Sequence, residues 1–211
     1  MVKFAAGRLR TWIPKAAVVL GGVGSLVPLA LPGWGLSESV GANGIDALRL
    51  HDAPYNLTGE KIAIGQVEIG RPSQFGLDKV AYEAMPVMVR RVLHQDGLAS
   101  ADEYVDGHAA NVASVMISQD KELTGVAPDA MLYSGAVGPL EGRSAQPEEC
   151  LAAQTVALQN SGDVRAINFS FGEPLSRDPR PNPILDGNAL LTQCIDWSSR
   201  VHDALYVIAG N

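Results

Sequence analysis

From residue 58 onward, short apolar runs alternate with stretches whose apolar residues recur at helical spacing. The runs 61–67 (KIAIGQV), 131–137 (MLYSGAV), 164–169 (VRAINF) and 205–209 (LYVIA) read as strands buried on both faces. Two helices lie between the last three. Residues 147–160 open with Pro-Glu-Glu, which suits a first turn, where a missing Pro N–H costs nothing and acids favour the dipole. Residues 188–203 place Leu190, Cys194, Trp197 and Val201 on one apolar stripe. A further helix is predicted from near His108 to about Ile117. Strand–helix repetition of this kind implies right-handed crossovers and a parallel sheet. The predicted fold class is therefore α/β, a three-layer parallel sheet with helices on both faces. Residues 177–183 (RDPRPNP) form a polar, Pro-rich insertion before the last helix.

The first 34 residues follow a different pattern. Lys3, Arg8, Arg10 and Lys15 form a basic head without acids, and 16–31 (AAVVLGGVGSLVPLAL) carries no charge. A spanning helix needs roughly 20 apolar residues, and this run is shorter and broken by glycines and Pro28. The layout is that of an export signal, with an N-terminal anchor or a buried helix as the alternatives. Membrane contact is expected only through residues 16–31, and 35–57 reads as a linker or pro-segment.

All 23 acidic groups follow residue 34, so the body is more acidic than the formal net charge of −7 suggests. Such a body lacks the basic face that phosphates require, which excludes nucleic acid as a partner. A composition of 46% hydrophobic and 18% charged residues is that of a packed globule. Two cysteines cannot build a Cys-rich zinc or iron–sulfur site. No acidic cluster has calcium-loop spacing, and the turn after 61–67, Glu-Ile-Gly-Arg-Pro, is not a Gly-x-Gly-x-x-Gly turn. Neither a metal nor a nucleotide cofactor is predicted.

Five short motifs then fall in one order. They are Thr58-Gly59 with Glu68-Ile69-Gly70 after a strand, Gly107-His108-Ala109-Ala110-Asn111-Val112-Ala113-Ser114, Gly125-Val126-Ala127-Pro128, Ile167-Asn168-Phe169-Ser170-Phe171-Gly172, and Ala209-Gly210-Asn211. Together they resemble the subtilisin-like serine peptidases, with Glu68 where that family usually has Asp and Asn111 where it has a second, non-catalytic His. The resemblance runs from 58 to 211 and implies a partial subtilisin-like domain, incomplete at its C-terminus, that acts on polypeptides.

Acyl transfer to water needs a nucleophile, a base, a group that orients the base, and donors for the oxyanion. The resemblance gives His108 the role of base, a task suited to imidazole, the side chain whose charge ordinarily changes near neutrality. Glu68 would accept the Nδ1–H of His108 and stabilise the imidazolium. Gln66 shares its face of the strand and is the competing polar residue, but cannot supply the charge. Asn211 would donate its side-chain amide to the oxyanion, and Ser170, Phe171 and Gly172 would line the substrate cleft. His51, His94 and His202 have no such setting and are expected at the surface, and Asp102, Glu103 and Asp106 are expected to form a solvated approach to His108. The family's nucleophilic Ser follows Ala-Gly-Asn by several dozen residues, so it is expected beyond Asn211, leaving these 211 residues without turnover. The alternative is a non-catalytic domain that binds peptides along 170–172. Cys150 and Cys194 fall on successive crossover helices, which belong side by side on one face of the sheet. Export would allow a disulfide there, and two partly buried thiols are the other outcome.

Overall fold

The computed structural model describes residues 38–84, 87–139 and 144–210. The helices among the described residues include α1 (Leu48–His51), α2 (Lys79–Ala84), α3 (Gly107–Ile117), α4 (Gln146–Ala157) and α5 (Leu190–Val201). The sheet holds β1 (Ala63–Glu68), β2 (Arg91–His94), β3 (Gly97–Leu98), β4 (Met131–Ala136), β5 (Val164–Phe169) and β6 (Leu205–Ile208), in the order β3-β2-β4-β1-β5-β6. Every pairing is parallel except the β2–β3 hairpin. The α/β fold is as expected, and the four predicted strands lie within a residue or two of the predicted ends.

Alternation along β1 sorts the helices to two faces. Gly65 faces α4 so closely that a Cβ would sit 2.5 Å from Val156 Cγ1, so only glycine allows this approach. Its neighbour Ile64 packs on the other side with Ala113 and Ile117 of α3. The core on the α4–α5 side is built on Val67, Ala152, Val156, Ile167, Phe169 and Ile195. Cys150 of α4 and Cys194 of α5 are joined as a disulfide, with Cα atoms 5.9 Å apart. The crossover argument therefore holds, and the two-thiol alternative does not.

Three expectations need correction. The β2–β3 hairpin is an addition: Arg91 and His94 flank only two buried apolar residues, too short a run to signal a strand. The buried side of α5 is centred on Cys194, Ile195 and Ser198, while Leu190, Trp197 and Val201 are exposed. The helix is turned by about a quarter of its circumference from the predicted stripe, because Ser198 Oγ meets Tyr206 Oη at 2.7 Å and Cys194 is tied to α4. Strand β6 is not buried on both faces, since it is an edge strand with Leu205, Val207 and Ile208 exposed.

Candidate active site

Strand β1 is flanked by β4 and β5, and Glu68 is its last residue. His108 is the second residue of α3. Asp106 caps that helix from an extended backbone, its Oδ1 accepting the Ala109 N–H at 3.0 Å. The two segments are stitched together just beyond the pair: Arg71 N–H donates to Tyr104 O at 2.8 Å and Asp106 N–H to Arg71 O at 2.9 Å. This crossing requires glycine at position 70, where a Cβ would fall 2.4 Å from Asp106 Cβ and 2.8 Å from Tyr104 O.

The crossing is locked by an ion pair that no local sequence pattern announces. Arg71 and Asp78 are both fully buried. Arg71 Nη1 and Nη2 donate to the Asp78 carboxylate at 2.7 and 2.9 Å, and Nη2 also donates to Ser100 O at 2.8 Å. The same carboxylate accepts the backbone N–H groups of Gln74 and Asp102 at 2.8 and 2.7 Å. Burial pushes the Asp78 carboxyl upward, but the bonds from Arg71, Gln74 and Asp102 outweigh it and hold the carboxyl below its usual range. Asp102 and Tyr104 sit at positive φ, a conformation that costs energy outside glycine and persists when the surroundings enforce it. Asp102, read from sequence as solvated, thus has its amide inside this knot.

Glu68 is 2% exposed at its side chain and His108 is 62% exposed. Their nearest approach is 3.6 Å, from Glu68 Oε2 to His108 Nε2, within ion-pair range for an imidazolium but too long for a hydrogen bond. The nitrogen facing Glu68 is Nε2 rather than the expected Nδ1, and Gln66 holds the other carboxylate oxygen. Gln66 Nε2 donates to Glu68 Oε1 at 3.4 Å and to Ala109 O at 2.9 Å. Burial raises the Glu68 carboxyl above the ordinary range, and the hydrogen bond from Gln66, the charge of His108 and the hydroxyl of Ser170 pull it back. Asp106 adds to the rise.

Ile69, Tyr104, Val105, His108 and Pro139 line an open pocket of about 380 Å³ beside the pair. Ser170 is linked to β5 through Asn168, whose Nδ2 donates to Ser170 Oγ at 2.6 Å. Phe171 turns into the core against Phe169, ring centroids 5.5 Å apart, and Gly172 is exposed. The structure therefore brings Glu68, His108 and Ser170 together. Asn211 lies outside the described residues, as does the 1–34 segment. The other histidines are not free at the surface: His51 meets Val126 O at 2.9 Å, His94 packs on Tyr104, and His202 meets Gln154 Oε1. Among the described residues, no group of three or more His, Cys, Asp or Glu could hold a metal ion. No helix among them is long and apolar enough to cross a membrane.

The model of the subtilase family matches residues 44–211. Among solved structures, MycP1 with its N-terminal propeptide removed is similar at a TM-score of 0.52 and 17% identity, over 79% of this chain and 49% of that one. The MycP3 protease from the type VII (ESX-3) secretion system gives 0.51 and 19%, over 77% and 44%. The serine protease of Aeromonas sobria gives 0.50 and 19%, over 72% and 25%. The chain thus spans half or less of the length of these structures. No curated protein matches it by sequence.

Proposed function

Because the chain belongs to the subtilase family, a family of serine peptidases, we propose that it is the acid- and base-bearing part of an exported endopeptidase that cleaves polypeptides. The observation that carries this reading is the pair itself, a buried carboxylate at the end of an inner strand facing an exposed imidazole in the first turn of a helix. His108 takes the proton of a serine supplied by sequence following Asn211, and Glu68 stabilises the imidazolium that forms. The exposed ring turns on its side-chain bonds to present Nδ1 to Glu68 and Nε2 to the nucleophile. The Asn211 amide serves the oxyanion, and the peptide runs along Ser170, Phe171 and Gly172. Export is supported by the basic head and apolar run of residues 1–34 and by the Cys150–Cys194 disulfide, which suits an oxidising compartment.

The test extends the chain by the coding sequence that follows Asn211. The extended protein should be labelled by a fluorophosphonate and should hydrolyse a fluorogenic peptide. His108→Ala should abolish hydrolysis, and Glu68→Gln should lower it by roughly 10³-fold or more. The 211 residues alone should do neither. Labelling of a serine within 38–210 would overturn the assignment. Peptide binding by the extended protein without hydrolysis would replace it with a non-catalytic peptide binder.

A further inference from the structure

Gln66 leaves β1 on the same face as Glu68 and is fully buried. Among the described residues both of its hydrogen bonds use the amide nitrogen, one to the Glu68 carboxylate and one to the carbonyl of Ala109, the residue after His108, while its buried oxygen has no partner. The reverse orientation would set its oxygen against two acceptors, so the chemistry of the partners fixes which end points where. Its register neighbours, Ser134 on β4 and Asn168 on β5, are also polar. A polar row therefore crosses three inner strands beneath α3, whereas one step back, Ile64 enters an apolar cluster. Buried amides and hydroxyls are costly on such a face, and helix-on-sheet packing does not call for them.

Resting on the reading of Glu68 as the acid, we propose that Gln66 is a positioning residue that ties the Glu68 carboxylate to the backbone of the helix bearing His108. A Glu has one rotatable bond more than the Asp that the family usually places here. A tether from the same strand removes that freedom and makes acid and base move as a unit. The expectation from sequence, that Gln66 is a weaker rival of Glu68, is replaced by one in which it acts through Glu68.

The experiment uses the 211-residue chain with 13C- and 15N-labelled Glu and Gln, followed by NMR across the carboxyl titration. The Gln66 amide protons should shift with the same midpoint as the Glu68 carboxyl carbon, and Glu68→Gln should abolish that shift. In Gln66→Met, with circular dichroism unchanged, the Glu68 midpoint should move upward. The other charged groups beside Glu68, His108 and Asp106, remain in place. Gln66 signals that stay flat through the Glu68 titration, or a midpoint unchanged in folded Gln66→Met, would overturn the tether. Should Gln66→Met fail to fold, the wild-type and Glu68→Gln titrations decide alone. None of these readouts depends on hydrolysis, so failure here leaves the peptidase reading standing, and failure of that reading leaves the tether testable.

Discussion

Asp78 and Glu149 are both carboxyl groups with no exposed surface, and they behave in opposite ways. Asp78 receives two guanidinium N–H groups and two backbone N–H groups, and its carboxyl is held low. Among the described residues, neither oxygen of Glu149 has a hydrogen-bond partner. Burial, with the charges of Glu173 and Glu148 adding to it, pushes its carboxyl up to about 7. Depth is the same in both places, and the supply of donors decides which form is stable. The placement also differs in purpose. Asp78 locks the loop crossing that sets Glu68 against His108, whereas Glu149 sits in the first turn of α4 beside the disulfide.

The comparison can be broken most forcefully at Arg71. Arg71→Met leaves Asp78 buried with its two backbone donors and no charge partner, a situation that costs about 3–5 kcal/mol. Urea denaturation should show that loss. The double variant Arg71→Met/Asp78→Leu should recover a large part of it, because two apolar groups replace a pair rather than orphan one member. A loss below about 1 kcal/mol in Arg71→Met would mean that Asp78 is not the saturated site described here.

Glu149 offers the opposite test, with a defined sign. Its folded carboxyl titrates at about 7, above the ordinary 4.5, so between those values the folded state holds a proton that the unfolded state has released. The Glu149 contribution to stability should then be largest below pH 4.5, fall as pH rises towards 7, and level off above that. Glu149→Gln should flatten this fall and exceed wild type at pH 8 by on the order of 2 kcal/mol. Denaturation midpoints measured from pH 4 to pH 8 give the slope directly. A variant with the wild-type slope would show that Glu149 finds donors in solution.

These two carboxyls also mark what could be read from the sequence. The four expected strands are specified by local apolar runs and the helix at 147–160 by its Pro-Glu-Glu first turn, and crossover handedness puts Cys150 and Cys194 on one face. Pro147-Glu148-Glu149 was legible as a helix start, but not which acid would turn inward, since that depends on the rotation of α4 against the sheet. The same kind of rotation moved the buried side of α5 away from Trp197. Arg71 and Asp78 are seven residues apart with no periodic relation, and they meet only when the loop folds back to hold Ser100 and Asp102. Glu68 and His108 were legible because their short motifs resemble a family's. Their meeting through Nε2 was not, because the rotation of the exposed His108 ring leaves no trace in a local pattern.

Glu68 lies between the two extremes and should show the smallest effect on stability. It is buried like Asp78 and Glu149, and burial raises its carboxyl, but Gln66, His108 and Ser170 oppose that rise. Glu68→Gln keeps the volume and an oxygen that can still accept from Gln66, while removing a charge that burial disfavours. The change in stability should stay within about 1 kcal/mol, the range of a substitution that creates neither a cavity nor an orphaned charge. Its sign should depend on pH. Because the folded carboxyl is raised, ionisation above the ordinary 4.5 works against folding in wild type, so the variant should gain relative to wild type as pH rises. Urea curves for both proteins at pH 4 and pH 8 test this. A large loss in Glu68→Gln at pH 8 would place Glu68 with Asp78, as an anion the fold needs, rather than as one it tolerates for the sake of His108.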